Sequence, residues 1–210
     1  MAFDYKKEYK EFYLPKAKPE IVDVPEMNFI AVSGKGDPNQ PDSEYKEAVG
    51  ILYTIAYTIK MSKKTDHHIE GYFDYVVPPL EGFWRQEGRE GMDYGHKEDF
   101  IWISVIRLPD FVTEEDFRWA VREAEKKKGM DLSKAEFMRI HEGLCVQCMH
   151  IGPYDDEPET VRKMDRYLEE NGYDNDFSGE RWHHEIYLSD VNKTAPEKLK
   201  TVIRHPVRRK

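Results

Sequence analysis

Apolar residues recur with helical spacing in three segments of the chain. In the first segment, which Ser43 is suited to cap, they form a stripe at i, i+3 and i+4: Tyr45, Ala48, Val49, Leu52, Ile55, Ala56 and Ile59. Thr113, followed by three acidic residues, predicts the start of a second helix, which ends at Gly129. A third helix is predicted over 157–171, where Gly172 stops it.

Six further segments have strand composition, and several alternate apolar and polar residues: 27–33, 70–77, 100–107, 137–151, 183–188 and 200–207. Together with the helices they give the order strand, helix, strand, strand twice, in module one (about 27–110) and module two (about 137–207). The helix over 113–128 links the modules, and residues 1–26 form a charged arm with several prolines. Two such modules can pack as pseudo-symmetric halves around a ligand groove. We therefore predict an α+β fold with antiparallel sheets, built as a single domain over 27–210.

The third strand and the segment before it carry several large aromatic rings of module one, including Trp84 and Trp102. Alternation divides the strand into two faces: Ile101, Ile103 and Val105 towards the core, and Phe100, Trp102, Ser104 and Ile106 away from it. The preceding segment, 79–95, is rich in glycine and is predicted to be a loop that carries Phe83 and Trp84. Exposed rings of this size lower solubility, so we expect them to cover a cavity or fill a groove.

Composition and charge narrow the classes of function. Hydrophobic residues make up 39% of the chain and aromatic residues 13%, too many for a disordered protein. The 41 acidic and 32 basic residues give a net charge of −9, which repels phosphate backbones and anionic lipids, so we expect neither a nucleic acid nor a membrane as partner. The longest uncharged stretch, 48–59, is shorter than the ~20 residues of a bilayer span. The N-terminus lacks the apolar core of a secretion signal, and a cytoplasmic location is expected.

The two cysteines, Cys145 and Cys148, have the spacing of a metal or redox motif. They fall within a predicted strand, where an odd offset sends the two side chains to opposite faces, so they are not expected to share one ion. The doublets His67-His68 and His183-His184 diverge in the same way. We expect two small buried thiols, no metal and no cofactor.

Three segments, in this order and spacing, resemble the family of GyrI-like small-molecule-binding domains: Cys148–Tyr154 before a helix, His184–Leu188, and Lys200–Val207. Together with the doubled order of elements, the resemblance covers the chain from about residue 20 onward. The family includes effector-binding parts of multidrug-sensing transcription regulators and stand-alone cytoplasmic proteins. Because no basic helix-turn-helix segment is visible, this chain resembles a stand-alone member. The resemblance implies a groove between the modules and a buried glutamate on the penultimate strand, which corresponds to Glu185.

The alternation in 183–188 supports this role for Glu185 independently. It places Glu185 and Tyr187 on one face and Ile186 and Leu188 on the core face, so we expect the carboxylate to face away from the helices. A buried, unpaired carboxylate is costly, so it would meet a cationic ligand or act as a proton acceptor. A surface acid on a solvated sheet face is the alternative. The candidates for aromatic pocket walls, each of which could instead be core packing, are Phe83, Trp84, Trp102, Trp119, Trp182 and Tyr187.

Two functions of different classes fit such a site. The first is binding of hydrophobic aromatic molecules, often cationic, by stacking and cation–π contacts, without chemistry. The second is implied by a resemblance to stand-alone family members that hydrolyse the cyclopropane group of DNA-alkylating toxins for cellular protection. Glu185 would then deprotonate a water molecule, and Tyr53 or Tyr57, which could also be packing residues, would donate a hydrogen bond to the carbonyl oxygen. A third possibility, inhibition of a large enzyme such as DNA gyrase, rests on the family name.

Overall fold

The computed structural model describes residues 2–89 and 91–210. Met1 and Glu90, which belong to the predicted arm and the predicted loop, lie outside the described residues. The helices are α1 (Tyr5–Glu8), α2 (Lys10–Tyr13), α3 (Glu44–Lys60), α4 (Glu114–Lys128) and α5 (Glu157–Asn171). The strands are β1 (Glu20–Lys35), β2 (Leu80–Gln86), β3 (Phe100–Arg107), β4 (Glu136–Ile151), β5 (Tyr173–Asn175), β6 (His183–Tyr187) and β7 (Lys200–Arg209).

The strands form one antiparallel sheet that closes on itself. Its order is β4-β1-β3-β2-β6-β7-β5, and a further pairing of β4 with β7 joins six strands into a ring. The long strand β4 makes this closure, because Cys145 to Gln147 pair with β1 on one side and with β7 on the other. The fold is therefore α+β with antiparallel strands, as the sequence predicted, and the closure of its sheet into a barrel-like ring was not predicted.

The doubled order of elements is also present. Module one is β1-α3-β2-β3 and module two is β4-α5-β6-β7, and the modules meet where β1 pairs with β4 and where β2 pairs with β6. These two seams lie on opposite sides of the ring, as expected for two halves related by a pseudo-two-fold axis. The seam between β2 and β6 places Gly82 directly opposite Glu185.

Local sequence explains the helices that pack outside the barrel. The Ser43 side chain accepts a hydrogen bond from the backbone of α3, and Thr113 and Asp116 form a capping box on α4. Gly129 ends α4 in the left-handed region at φ 64°, which favours glycine. The buried face of α3 joins α4 and the outer face of β1 and β3 in the largest apolar cluster. None of the described helices is long and apolar enough to cross a membrane.

Module one differs from the prediction at three places. The first strand begins at Glu20, seven residues inside the predicted arm. The segment 70–77 is not a strand; Gly71 turns the chain at φ 72°, and Tyr75 makes a single bridge to Phe3. The second strand is instead 80–86, inside the predicted loop. Both faces of this central strand are covered, so its buried residues do not alternate with polar ones, and the pattern that identifies a half-buried strand is missing.

The predicted faces of the third strand were also wrong. Phe100, Trp102 and Ile106 pack against the helices in the largest apolar cluster, and Trp102 is almost fully buried. Ile103 and Val105 belong to a smaller cluster inside the barrel. Both faces are buried, so aliphatic and aromatic character could not tell the helix side from the barrel interior.

A charged network fills part of the barrel interior. His184 contacts Glu142 Oε2 at 2.9 Å and Glu81 Oε2 at 3.0 Å, and Arg204 donates to Glu142 Oε1 at 2.7 Å. Burial opposes the charged form of Glu142, but His184 and Arg204 outweigh it and hold the pKa of Glu142 at about 2. Arg204 also donates to the carbonyl oxygen of Phe12 at 2.8 Å, so the network ties the N-terminal arm to the barrel.

Cys145 and Cys148 are buried free thiols, as predicted. Burial raises the pKa of Cys145 to about 12 and that of Cys148 to about 11, so neither is a nucleophile at neutral pH.

Candidate functional site

Glu185 lies in the middle of β6 on the outer face of the barrel, between the helices of the two modules. Its side chain is largely buried, and the residue keeps 7% of its surface exposed. The predicted direction was wrong, because Glu185 does not face away from the helices: Glu157, the first residue of α5, stands beside it. The sheet is closed and covered on both sides, so neither face of β6 is the solvated face that was the alternative to a buried Glu185.

Three ionisable side chains meet at this point, and we call them the carboxyl cluster: Glu157, His183 and Glu185. Nε2 of His183 lies 2.9 Å from Oε1 of Glu185 and 4.0 Å from Oε2 of Glu157. Tyr94 donates a hydrogen bond of 2.9 Å to Oε2 of Glu157. Glu157 is completely buried, and its Oε1 has no hydrogen-bond partner among the described residues.

The two carboxyl groups lie close together, and this affects the protonation of Glu157. Burial and the negative charge of Glu185 raise the pKa of Glu157 well above its usual range, although Tyr94 opposes the shift. Glu157 therefore holds its proton more tightly than an ordinary glutamate does. Buried titratable groups that are strongly perturbed by burial and by a specific neighbour are typical of functional sites.

A second histidine fixes the ring of His183. Nδ1 of His183 lies 2.7 Å from Nε2 of His205 on β7. Burial and the neighbouring His183 lower the pKa of His205 well below its usual range, so His205 is neutral. Because this contact engages Nδ1, the ring of His183 is held with Nε2 directed towards Glu185.

Phenol and indole groups surround the carboxyl cluster. Trp84 donates a hydrogen bond of 3.0 Å from Nε1 to the phenol oxygen of Tyr187, and Tyr45 packs on Trp84 with ring centroids 5.4 Å apart. The ring of Tyr154 meets Tyr187 edge to face at 5.8 Å. Burial raises the pKa of Tyr154 to about 12 and that of Tyr187 well above its usual range, so both remain phenols able to donate hydrogen bonds.

The carboxyl cluster is also the one group of three among residues 2–89 and 91–210 that could hold a metal ion. One ligand atom from each of Glu157, His183 and Glu185 lies within 4.8 Å of the others. His183 and His184 diverge as predicted, since His184 points into the barrel. Reasoning from neighbouring positions could not show that His183, beside Glu185 of its own strand, would also approach Glu157 of α5.

An open cleft of about 320 Å³ lies at the end of β2 and β6, next to the carboxyl cluster. We call it the β2–β6 cleft. Trp84 and His183 belong to both the cleft wall and the surroundings of Glu185. The other lining residues come from β2, from the segment after it and from the segment before β6: Arg85, Gln86, Gly88, Arg89, Gly91, Phe177, Ser178, Gly179, Arg181 and Trp182.

Three of the aromatic candidates gather near Glu185 or the cleft. Trp84 and Trp182 line the cleft, and Tyr187 accepts the hydrogen bond from Trp84. Trp84 is a buried residue of β2 and not, as predicted, a residue of an exposed loop.

The other candidates lie elsewhere. Phe83 points into the barrel and stacks on His184 at 3.9 Å, while Trp102 is part of the core beneath α3. Trp119 stacks on His67 at 4.0 Å, on the α4 side of the molecule. None of these three lines the cleft.

The tyrosine predicted to serve the site was also wrongly chosen. Tyr53 and Tyr57 stack on each other, and Tyr57 is 52% exposed. It is Tyr45, eight residues and thus about 12 Å nearer the start of α3, that packs beside Trp84. The sequence singled out Tyr45 only as part of the buried stripe.

Glu157, Tyr94 and Tyr154 were missed altogether as site residues. Glu157 was not recognised from the sequence, because an acidic residue in the first turn of a helix is common and interacts favourably with the helix dipole. The signal that could have found Tyr154 is its place in the segment Cys148–Tyr154, which carries the family resemblance.

Comparison with known proteins agrees with this architecture. The family model for the GyrI-like small-molecule binding domain matches residues 17–208. A crystal structure of an uncharacterised conserved protein from Listeria innocua is 52% identical, covers 98% of this chain and 100% of its own, and superposes with a TM-score of 0.93. A second crystal structure, described as a hydrolase from Listeria innocua, is 50% identical, with coverage of 98% and 100% and a TM-score of 0.89.

A more distant structure shares the fold alone. The C-terminal domain of EcmrR is 14% identical, covers 92% of this chain and 98% of its own, and has a TM-score of 0.59. No curated protein matches the chain.

Proposed function

This chain belongs to the family of GyrI-like small-molecule binding domains, and from that premise we propose that it hydrolyses small electrophilic molecules, with Glu185 as the base that deprotonates water. The observation that carries the proposal is the carboxyl cluster, in which the buried Glu157, with its raised pKa, stands beside Glu185 and an oriented His183. The relative from Listeria innocua described as a hydrolase, at 50% identity over nearly the whole chain, supports the reaction class.

The surroundings of Glu185 suit a general base. Its carboxylate is largely withdrawn from bulk water, which strengthens its interaction with a bound water molecule. Nε2 of His183 fixes Oε1 at 2.9 Å, so the other oxygen of the carboxylate is available to a water molecule.

The proposed substrate class is an electrophile with a strained cyclopropane ring conjugated to a carbonyl group. The water oxygen bonds to a ring carbon while the strained C–C bond breaks, and the bonding pair moves towards the carbonyl oxygen. Glu185 takes the proton of the water and then returns a proton to that oxygen, so the net change is the addition of one water molecule. A strained ring needs little further acceleration, so one base and good positioning suffice.

The developing negative charge on the carbonyl oxygen needs a hydrogen-bond donor. Tyr187 and Tyr154 are partly buried phenols near Glu185, and desolvation of their hydroxyl groups raises the pKa of both, which favours the protonated form. In the proposed mechanism they take the place that was predicted for Tyr53 or Tyr57.

Turnover of a cyclopropanoid DNA alkylator tests the proposal directly. The protein is incubated with the alkylator, and the ring-opened, water-added product is followed by mass spectrometry for the wild type and for Glu185→Gln. We expect product from the wild type and a loss of 10²- to 10⁴-fold in rate for the variant, the range for removal of a general base. Dialysis against a chelator before the assay separates a proton-based mechanism, whose rate it leaves unchanged, from one that needs an ion at the carboxyl cluster.

Binding without turnover is the second candidate, and the β2–β6 cleft favours it, because its aromatic walls can hold a flat molecule whether or not chemistry follows. Tight binding of the alkylator with no water-added product from the wild type would establish sequestration and refute hydrolysis. Equal rates for the wild type and Glu185→Gln would refute the role of the carboxylate.

A further inference from the structure

We propose that the β2–β6 cleft binds flat aromatic molecules that carry an anionic group, and that Arg85 holds this group. The inference goes beyond the proposed hydrolysis, since it concerns binding alone and holds whether or not the bound molecule is turned over. It also differs from the expectation of cationic ligands that a buried acid suggests.

The charge of the cleft wall is the first observation. Three arginines line the cleft, Arg85, Arg89 and Arg181, and no acidic side chain is among the described lining residues. The chain as a whole carries a net charge of −9. A cleft lined by cations on an acidic protein concentrates anions locally and discriminates against organic cations.

The partners of the three arginines single out Arg85. Arg89 pairs with Asp93, and Arg181 pairs with Asp176, so acids adjacent to the cleft already neutralise both. Arg85 forms no ion pair within the described parts of the chain, and its Nε is buried without a hydrogen-bond partner there. A buried guanidinium donor without an acceptor is costly, and an anionic oxygen in the cleft would satisfy it.

The aromatic wall around Arg85 explains why a flat ligand fits. The guanidinium carbon of Arg85 lies 4.8 Å from the centre of the Trp182 ring. Trp182 is itself fixed, because its Nε1 donates a hydrogen bond of 2.8 Å to the carbonyl oxygen of Gly179. A guanidinium stacked on an indole keeps its edge donors free while its face is covered. Trp182 and Arg85 thus offer a rigid plane for stacking, with the charged guanidinium donors of Arg85 at its edge.

The carboxyl cluster does not reverse this preference. Glu185 and Glu157 are not lining residues of the cleft, and the group that the cleft presents on that side is His183. Oε1 of Glu185 is already bound to that histidine. A ligand in the cleft therefore meets arginine side chains and an imidazole before it meets a carboxylate.

Two fluorescent probes with the same ring system test the proposal. One is 8-anilinonaphthalene-1-sulfonate, which is anionic, and the other is N-phenyl-1-naphthylamine, which is neutral. We expect the wild type to bind the sulfonate at least tenfold more tightly, and Arg85→Gln to remove this difference by weakening the sulfonate alone. Arg85→Lys, which keeps the charge but loses the planar fork, should retain part of the preference.

The control variants locate the effect. Arg118→Gln removes one positive charge from the exposed face of α4 and should leave the affinity of both probes unchanged. Trp182→Leu should weaken both probes, because the stacking plane is lost. The proposal is overturned if Arg85→Gln affects the two probes equally, if Arg118→Gln has as large an effect, or if Trp182→Leu leaves both affinities unchanged. Melting temperatures of all variants show whether each is folded.

Discussion

Nε1 of Trp84 donates a hydrogen bond of 3.0 Å to the phenol oxygen of Tyr187, and this bond crosses the seam between the two modules. The space for it is provided by Gly82, which lies opposite Glu185 on the neighbouring strand. A Cβ atom at position 82 would stand 2.5 Å from Nε1 of Trp84 and 3.0 Å from the phenol oxygen of Tyr187. The glycine is therefore required by packing, since its φ is not in the left-handed region.

Gly82→Ala should break the bond between Trp84 and Tyr187. We expect the melting temperature to fall by several degrees, since overpacking of this kind costs roughly 1–3 kcal/mol. We also expect turnover of the alkylator to fall, because Tyr187 loses its fixed position beside Glu185. Gly50→Ala is the matched control: Gly50 lies in α3 with open space around its Cα, so the change should stabilise the helix by roughly 0.5–1 kcal/mol. An unchanged melting temperature in Gly82→Ala would contradict the packing argument.

Trp84 combines a packing role with a hydrogen-bonding role, and two variants separate them. Trp84→Ala should destabilise the protein by about 3–5 kcal/mol, because this buried ring also packs on Tyr45 and Phe100. Trp84→Phe keeps most of the ring and removes only the donor, so we expect a smaller loss of stability in denaturant unfolding and a clear loss of turnover. Equal stability losses in the two variants would show that the hydrogen bond, not the ring, dominates.

The protonation of Glu157 predicts how stability depends on pH. Its pKa is raised in the folded protein, so the folded state holds the proton more tightly than the unfolded state does. The stabilisation that Glu157 contributes is therefore fully present below the ordinary pKa of a glutamate and is lost as pH rises through the raised value. Glu157→Gln mimics the neutral acid and should reduce this fall, which melting curves between pH 5 and pH 9 would measure.

The same variant also tests the role of Glu157 in turnover. If Glu157 acts as a neutral positioning group, Glu157→Gln should retain turnover to within about tenfold, whereas Glu185→Gln should not. A loss in Glu157→Gln as large as that in Glu185→Gln would show instead that Glu157 transfers a proton itself.

His184 predicts a second pH dependence, which belongs to the barrel interior. Burial disfavours the imidazolium, but Glu142 and Glu81 outweigh it and raise the pKa of His184 above its usual range. The stabilisation is fully present below the unfolded pKa of ~6.5 and is lost as pH rises through the folded value. Glu142 has the opposite pH dependence, because its pKa is lowered in the folded protein. The stabilisation that it contributes is present above its ordinary pKa and is lost as pH falls towards about 2.

His184→Gln should therefore lower the unfolding free energy most at neutral and mildly acidic pH and flatten its decline at alkaline pH, as urea titrations would show. His150→Gln is the control, because buried His150 contacts a hydroxyl and a carbonyl oxygen and no carboxylate. A decline in His184→Gln as steep as in the wild type would assign the alkaline loss of stability to another group.

The sequence by itself determined the three long helices, most strands and the doubled order of modules, because these depend on local signals. The caps at Ser43 and Thr113 and the glycines after α4 and α5 act within one turn of helix, and they are visible in any reading of the chain. The alternation in β6 likewise put Glu185 and Tyr187 on one face.

Only the tertiary structure decided which face of each strand meets which partner. Strands β2 and β3 are covered on both sides by a closed barrel and its helices, so hydrophobicity does not distinguish the side of Trp84 from that of Phe83. The carboxyl cluster joins Glu157 to His183 and Glu185 across elements distant in the chain, and the pKa of Glu157 is raised because burial and charge act through space. No periodicity in the sequence encodes such distances, and they exist only once the two modules close around the seam.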